Sequence, residues 1–212
     1  MDYRLEQFVN GPAGHHPAWD AVMRDVSAWS VPLFAWIVIS WFALGWMLDR
    51  PADRRGAVTA LLAAGAALLV NQAVLVAWQR PRPFAAHPGT VHTLVAHAGD
   101  ASFPSDHAAA SAAIATTVLL FHRRLGLAAL ALAALLWASR VYVGVHYPGD
   151  VLAGAAVGAI AAVVLTVPLG PAIDRLLARL EAAAARFGVR PPRRFARGPV
   201  AHQGVSGGPE VR

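Results

Sequence analysis

Five apolar segments limit most tightly what this chain can fold into. A transmembrane α-helix needs roughly 20 mostly apolar residues to cross about 30 Å of hydrocarbon, and a helix pairs its own backbone polar groups where water is absent. The composition is 57% hydrophobic and 14% charged, which favours a bilayer over a water-soluble core. We therefore predict an all-α fold, a polytopic transmembrane helix bundle. The five predicted spans are residues 31–48, 57–78, 105–121, 125–137 and 151–169.

The sequence on either side of these spans is more polar. From Trp19 to Trp29, apolar residues recur every three to four positions, which predicts an N-terminal amphipathic helix in the membrane interface, with an ordinary packing helix as the alternative. After the last span, Leu176, Leu177 and Leu180 predict a short surface helix, and the Gly/Pro/Arg-rich remainder predicts disorder. The predicted divisions are an N-terminal segment, 1–30, a transmembrane core, 31–170, and a surface helix with a disordered basic tail, 171–212.

All the formal positive charge comes from arginine. The sequence has 18 arginines and no lysine, and its formal net charge is +6. Because the arginines cluster beside apolar segments, we expect anionic lipid headgroups, above all at the basic tail, as partners rather than nucleic acid.

The distribution of arginine predicts orientation. Thirteen arginines fall on one side of the alternating spans and five on the other, and arginine-rich loops stay cytoplasmic. We therefore expect a multi-pass plasma-membrane protein whose motif-bearing loops face the extracytoplasmic side. The first thirty residues contain four acidic side chains and no uninterrupted apolar run, so we expect no cleavable signal peptide.

The residue types available limit the metal sites that the chain can form. There is no cysteine, which excludes disulfides and thiolate zinc sites. His87, His92 and His97 recur at five-residue spacing in the long loop after the second span. That spacing is not diagnostic of a metal site, so we expect solvated loop histidines, with a metal site as the alternative, and no cofactor. The sequence predicts no oligomeric state.

Charged and polar side chains collect in the loops at one end of the predicted spans. Arg80 and Arg82 follow the second span, and guanidinium groups match phosphate oxygens two at a time, although a membrane-edge anchor is the alternative. Ser105 is a natural N-cap for the third span, and a helix N-terminus offers free N–H groups to an anion. His107 lies in that first turn; helix capping alone is the alternative interpretation.

A third polar stretch, between the fourth and fifth spans, contains Arg140, His146 and Asp150. Ionisable groups at the edge of hydrocarbon are costly and mark candidate functional sites. A carboxylate four residues after a histidine can accept a ring N–H, fix the tautomer and leave the other nitrogen free to attack. A polar loop with a helix-capping aspartate is the alternative. If the three loops meet, their imidazoles, arginines, helix N-terminus and carboxylate suit phosphoryl transfer.

In this order and spacing, the three stretches resemble the signature of the type-2 phosphatidic acid phosphatase superfamily. The resemblance covers about residues 71–155. It departs from the usual pattern at Leu75, where the family has lysine, and at Asp106, where it has glycine. Both departures, together with Asn71-Gln72, are similar to the bacterial undecaprenyl-diphosphatase branch. The motifs that carry the resemblance are Arg82-Pro83, Pro104-Ser105-Asp106-His107, and Ser139-Arg140 followed by His146 and Asp150.

The resemblance implies a mechanism without a metal. His146 attacks phosphorus and forms a phosphohistidine, Asp150 orients its ring, and His107 protonates the departing oxygen. The groups implied to hold the phosphate oxygens are Arg82, Arg140, Ser105 and, in place of the missing lysine, Arg80.

The same branch implies a lipid diphosphate as substrate, with undecaprenyl diphosphate hydrolysed to undecaprenyl phosphate and phosphate. Two alternatives stay open: a phosphatase for phosphatidic acid or phosphatidylglycerol phosphate, and a non-catalytic protein that binds or transports lipid headgroups with the same arginines. Asn71 and Gln72 are predicted to hydrogen-bond between helices, with a substrate contact as the alternative.

Overall fold

The regular structure of this chain is entirely helical in the part that can be described. The computed structural model describes residues 1–96 and 99–188, and the all-α prediction is confirmed there. The helices are α1 Asp2–Asn10, α2 Pro17–Met47, α3 Pro51–Ala77, α4 Pro83–Ala86, α5 Asp106–Phe121, α6 Arg123–Tyr142, α7 Pro148–Thr166 and α8 Gly170–Arg186.

All five predicted spans form helices. Within the described ranges, α2, α3, α6 and α7 are long and apolar enough to cross a membrane, whereas α5 is apolar but has 16 residues. At 1.5 Å per residue, α5 is roughly 24 Å long, slightly less than the hydrocarbon thickness. It is surrounded by α2, α3, α6 and α7. The polytopic helix bundle is therefore confirmed, and α5, the shortest of the five helices that form the predicted spans, lies at its centre.

Glycines on α7 let it approach α5 closely. A Cβ atom added at Gly154 would lie 2.3 Å from the carbonyl oxygen of Ser105, and one added at Gly158 would lie 2.1 Å from that of Ala109. Only glycine therefore fits at these two positions, and small residues are what allow two membrane helices to touch along their backbones. The contact fixes the start of α5 against α7.

The N-terminal region differs from the predicted single interfacial segment. Residues 17–30 are the first part of α2, which continues through the predicted boundary at residue 30 to Met47. Met23, Ser27 and Ser30 are buried, so the helical periodicity that begins at Trp19 reflects packing against the bundle. Only α1 is separate, and it packs against α6 and α7.

The predicted surface helix is α8, and its apolar side is open to the surroundings. Leu176, Leu180 and Phe187 are exposed. Two ion pairs hold it against the start of α3: Arg55 to Asp174 at 2.8 Å and Arg54 to Glu181 at 2.9 Å. The prediction of a disordered tail concerns residues that, from 189 onward, lie outside the described ranges.

The bundle has two polar ends. The site end consists of α1, the loop residues 78–96 and 99–105, and residues 143–147 between α6 and α7. The opposite end consists of residues 48–50, His122 and α8. Asn10 joins elements of the site end by donating to the carbonyl oxygens of His92 and Tyr142 at 2.8 and 2.7 Å.

Candidate active site

The three polar stretches meet at the site end around one cavity of about 170 Å³. Because these residues come from α3, the loops, α5 and α6, the convergence expected from the sequence is formed. Four of the predicted site residues share this cavity, while the others lie behind it. The lining residues are Leu75, Arg82, Asp100, Ala101, Pro104, Asp106, His107, Arg140 and His146.

His146 is held with one ring nitrogen bonded to the backbone and the other beside an arginine. Its side chain is 3% exposed, and Nδ1 lies 2.9 Å from the carbonyl oxygen of Ser102. A carbonyl only accepts, so Nδ1 carries the proton and Nε2 carries the lone pair in the neutral ring. Nε2 lies 3.3 Å from Nη1 of Arg82. Burial lowers the pKa of His146 to about 4, helped by Arg140 and Arg82 and opposed by Asp150. The ring is therefore neutral near pH 7, as a nucleophile requires.

Asp150 is linked to the His146 ring indirectly, through Ser102. Its carboxylate is fully buried, and Oδ2 lies 3.8 Å from Nδ1 of His146, which is longer than a hydrogen bond. The Ser102 hydroxyl donates to Oδ2, and the carbonyl of the same residue holds the ring. The expected orientation of His146 by Asp150 therefore runs through Ser102. Sequence reasoning assigned Ser102 no role, because 44 residues separate it from His146.

The two cavity arginines differ in how many of their N–H groups are paired. Arg82 donates through Nε to Asp100 at 3.0 Å and through Nη1 to the carbonyl of Val145 at 2.9 Å. Arg140 donates through Nη1 to the hydroxyl of Ser27 at 2.8 Å. Its Nε and Nη2 atoms are buried, with no hydrogen-bond partner among the described residues. A buried guanidinium with unpaired donors is costly and suits an anion that supplies the missing acceptors.

The start of α5 forms another wall of the site. Ser105 is its N-cap, with Oγ 3.5 Å from the backbone N of Ala108, and its own N–H donates to the carbonyl of Asp150 at 3.0 Å. Two residues on, His107 lines the polar cavity. The N-terminus of α5 therefore directs its partial positive charge towards the site, as anion-binding helices do.

His107 also borders a second, apolar cavity of about 380 Å³ between α2, α3, α5 and α6. Its other lining residues include Val31, Ile39 and Leu61, which are 58%, 56% and 63% exposed. Exposed apolar side chains on spanning helices face lipid. The cavity thus connects the hydrocarbon region with one of the two imidazoles.

Arg80, which the resemblance implies as a phosphate contact, is not among the residues that line the cavity. Its Nη1 donates to Oδ1 of Asp150 at 2.7 Å and its Nη2 pairs with Oδ2 of Asp2 at 2.8 Å. Both ends of the guanidinium are thus engaged by carboxylates in this structure. Leu75, at the position of the usual lysine, does line the cavity, so an apolar side chain stands where the family has that lysine.

The second departure from the family pattern has a structural explanation. The two carboxylate oxygens of Asp106 accept from Nδ2 of Asn71 at 2.9 Å and from Nε2 of Gln72 at 3.3 Å. The predicted hydrogen bonding of Asn71 and Gln72 between helices is therefore confirmed, and it ties α3 to the first turn of α5.

The loop histidines show side-chain packing and no metal cluster in the described ranges. His87 stacks on Tyr3 with ring centroids 3.6 Å apart, and the His92 ring packs edge-on against His15 at 5.6 Å. No three His, Asp or Glu side chains in residues 1–96 and 99–188 are placed to hold a metal ion. His97, the third histidine of the predicted set, lies outside those ranges.

Comparison with known proteins gives consistent relatives. The family model of the PAP2 superfamily matches residues 56–170. Undecaprenyl-diphosphatase BcrC of Bacillus subtilis is 34% identical over 152 residues, which cover 72% of this chain and 76% of that protein. Bacitracin transport permease protein BcrC of Bacillus licheniformis is 33% identical over 138 residues, covering 64% and 68%. The crystal structure of Aquifex aeolicus LpxE matches with a TM-score of 0.62 and 25% identity, covering 76% of this chain and 92% of that one.

Proposed function

Because this chain belongs to the PAP2 superfamily, we propose that it is a membrane phosphatase acting on undecaprenyl diphosphate. The reaction hydrolyses the phosphoric anhydride and gives undecaprenyl phosphate and inorganic phosphate. The observation that carries the proposal is the shared cavity, where the unprotonated Nε2 of His146 lies beside Arg82 and the unpaired donors of Arg140.

The catalytic steps follow from these positions. Nε2 of His146 attacks the terminal phosphorus, and the bond from phosphorus to the bridging oxygen breaks as the N–P bond forms. His107 donates a proton to the departing lipid monophosphate. Water then attacks the phosphohistidine, His107 takes up its proton, and phosphate leaves while His146 regains its lone pair. Arg82, Arg140 and the N-terminus of α5, which Ser105 caps, stabilise the charge on the equatorial oxygens.

The apolar cavity beside His107 supports an amphiphilic substrate. The imidazole that protonates the leaving group is also the residue that borders the apolar cavity. The leaving group would therefore be the part of the substrate that carries the hydrocarbon chain. This arrangement suits a lipid diphosphate cleaved at its terminal phosphate, because the phosphate lies in the polar cavity and the chain stays among the helices.

The arginine distribution supports an extracytoplasmic site. Arg50, Arg54 and Arg55 lie at the opposite end of the bundle, where α8 packs, and arginine-rich loops stay in the cytoplasm. The site end, with the cavity, would then face outward. Cysteine replacements at exposed His16 and at Arg124 would test this orientation, since a membrane-impermeant thiol reagent should label only the former in intact cells.

A phosphate-release assay on the purified protein tests the proposal. We expect release from undecaprenyl diphosphate to exceed release from phosphatidic acid and phosphatidylglycerol phosphate, and to persist with a chelator. A preference for either glycerolipid would overturn the substrate, and chelator-sensitive turnover would contradict the metal-free mechanism. One relative is named as a transport permease, so transport is the alternative function. Headgroup binding without phosphate release by the wild-type protein would favour that alternative.

A further inference from the structure

Arg80 links the N-terminal helix to the carboxylate behind the nucleophile. Its Nη1 donates to Asp150 at 2.7 Å, its Nη2 pairs with Asp2 at 2.8 Å, and its guanidinium carbon lies 3.8 Å from the centre of the Tyr147 ring. We propose that Arg80 and Asp2 are positioning residues that hold Asp150, and through it Ser102 and His146, in the geometry for attack. This inference rests on the proposed phosphatase function.

The need for such support comes from the burial of Asp150. The carboxylate is fully buried, and a buried charge requires both a partner and satisfied hydrogen bonds. Oδ2 accepts from the Ser102 hydroxyl and from the backbone N–H of Tyr147 at 2.9 Å. Oδ1 accepts from Arg80, which is the cation paired with this carboxylate. Without Arg80, Asp150 would be left with two neutral donors on a single oxygen.

The consequence of losing Arg80 would reach His146 through Ser102. The Ser102 hydroxyl is shared between Asp150 and the imidazole, because it donates to Oδ2 and lies 3.4 Å from Nδ1 of His146. The carbonyl of Ser102 holds the same Nδ1 at 2.9 Å. A shift of the Asp150 carboxylate would therefore rotate the ring, and displacement of a reacting group by about 1 Å can cost roughly 100-fold in rate.

Asp2 holds Arg80 from the other side and joins two helix starts. Oδ1 of Asp2 accepts the backbone N–H of Gly149 at 2.9 Å. This N–H lies in the first turn of α7, where backbone donors have no partner within the helix. A Cβ at Gly149 would lie 2.7 Å from Oδ2 of Asp2, so a side chain at this position would displace the Asp2 carboxylate. Asp2 thereby anchors α1 to the turn that contains Asp150.

The rest of α1 is fastened to the long loop of the site end. The hydroxyls of Tyr3 and Thr90 share a hydrogen bond of 2.8 Å, and Oδ1 of Asn10 accepts the backbone N–H of His92 at 2.8 Å. These contacts fix the position of α1, which holds Arg80 through Asp2. Positioning by Arg80 thus depends on a helix that precedes the first span in the chain.

Variants at Arg80 and Asp2 separate positioning from phosphate binding. We expect R80Q to lower kcat about 10- to 100-fold with KM for undecaprenyl diphosphate within about twofold. We expect R80K to restore part of kcat, and D2N to lower it about threefold, since it keeps an acceptor for Gly149 but loses the charge. The matched control is R55A, which removes an arginine from the Arg55–Asp174 pair at the opposite end and should leave kcat unchanged. A large rise in KM or an unchanged kcat in R80Q would overturn positioning by Arg80, and an unchanged kcat in D2N would overturn the role of Asp2.

The protonation of His146 gives a measurement that needs no substrate. Arg82, Arg140 and Asp150 are the charged groups that act on this ring. Removing Arg80 strengthens the pull of Asp150 on the ring proton, so His146 should titrate at a higher pH in R80Q than in wild type. The measurement is an imidazole ¹⁵N titration in micelles, with the His146 signals assigned by comparison with H146N. An unchanged midpoint in R80Q would overturn positioning even if no lipid proves to be a substrate.

Failure of the proposed phosphatase function and failure of the positioning role can be told apart. If wild-type protein releases no phosphate from any lipid, the proposed function fails, and the ¹⁵N titration still decides the positioning role. If wild type is active and R80Q equals it, only positioning fails. Should R80Q not fold, as judged by gel filtration and thermal melting, the milder R80K and D2N variants carry the same comparison.

Discussion

The two ends of the bundle each contain a histidine close to an aspartate, but their surroundings differ. At the opposite end, Nε2 of His122 lies 2.6 Å from Oδ1 of Asp53, and the indole N–H of Trp41 donates to the same oxygen at 3.1 Å. At the site end, His146 lies 3.8 Å from Asp150, and its Nε2 faces a cavity. A His–Asp pair therefore does not identify a catalytic site by itself. The site end differs because the side chain of His146 is 3% exposed and lies 3.3 Å from Arg82, whereas the side chain of His122 is 36% exposed.

The arginines make the same distinction. At the opposite end, Arg54 pairs with Asp49 and Glu181, and Arg55 pairs with Asp174. At the site end, Arg140 is 5% exposed and keeps two nitrogen atoms without a partner in the described part of the chain. Cations paired with carboxylates stabilise the packing of α8 on α3, whereas a buried cation whose N–H groups are only partly paired can bind an external anion. Replacing an arginine should therefore lower activity at the site end and stability at the opposite end.

The largest contrast should come from the two histidines. We expect H146A to lower phosphate release more than about 1,000-fold, because Nε2 of His146 is the atom proposed to form the covalent intermediate. H122A should retain activity within about twofold, since its ring lies at the far end of α5. Initial rates on purified variants provide the test. Comparable losses in both variants would show that a His–Asp pair matters for stability at either end.

The unpaired arginine should matter more for activity than a paired one. We expect R140A to lower kcat/KM about 100- to 1,000-fold, the usual cost of losing a donor that stabilises transition-state charge. R54A should instead lower the melting temperature and keep kcat/KM near wild type after folding is verified, because Arg54 contacts Glu181 and Asp49 far from the cavity. If R54A loses as much activity as R140A, the distinction between paired and unpaired cations fails.

The pH dependence of catalysis should report the depressed pKa of His146. Attack needs the neutral ring, so kcat/KM should fall only as pH drops towards about 4, well below the ordinary histidine value of about 6.5. Since the unfolded chain takes up this proton first, stability should also decline as pH falls from about 6.5 towards 4. R82Q removes a positive neighbour and should move the acid limb upward. An acid limb near pH 6.5 in wild type would show that the ring is not held in this environment.

Glu6 predicts a smaller effect on stability at the site end. Its side chain is fully buried, neither carboxylate oxygen has a hydrogen-bond partner among the described residues, and burial raises its pKa to about 7. A raised carboxyl pKa means that stability is fully present below about pH 4.5 and is lost as pH rises through about 7. E6Q should reduce the change in stability with pH by about 1–3 kcal/mol. Thermal melts at pH 5 and pH 8 measure it, and equal slopes for both proteins would contradict the assignment.

The smallest effect should be that of the exposed pair at the opposite end. Arg55 and Asp174 have side chains 40% and 39% exposed, so D174N should cost at most about 1 kcal/mol of stability. Salt should reduce the difference from wild type further. A destabilisation that is large and independent of salt would mean that α8 depends on this pair more than its exposure indicates.

The sequence predicts the site better than it predicts the supports of the site. The order and spacing of three short motifs predict that His146, His107, Arg82 and Arg140 come together, and these four residues line one cavity. Ser102 and Asp2 could not be predicted in this way, because their partners are 44 and 147 residues away and no local pattern encodes such contacts.

The spans could be predicted because hydrophobicity along the chain sets the length of a helix in lipid. Where α2 begins could not, since the apolar periodicity from Trp19 onward looks the same for a helix on the membrane surface and for one entering the bundle. The role of Arg80 illustrates a similar ambiguity. Arg80 and Arg82 are two residues apart, and only the fold shows that one reaches the cavity while the other reaches Asp150.

The position of His107 between a polar and an apolar cavity has a consequence for how products part. Withdrawing a chain from the bilayer costs about 0.8 kcal/mol for each CH₂ group, so a long prenyl chain could never be lifted into water at a useful rate. With lipid-facing Val31, Ile39 and Leu61 around the apolar cavity, the chain can slide in and out sideways while inorganic phosphate escapes to the aqueous phase. The lipid carrier would then remain in its own leaflet throughout the cycle.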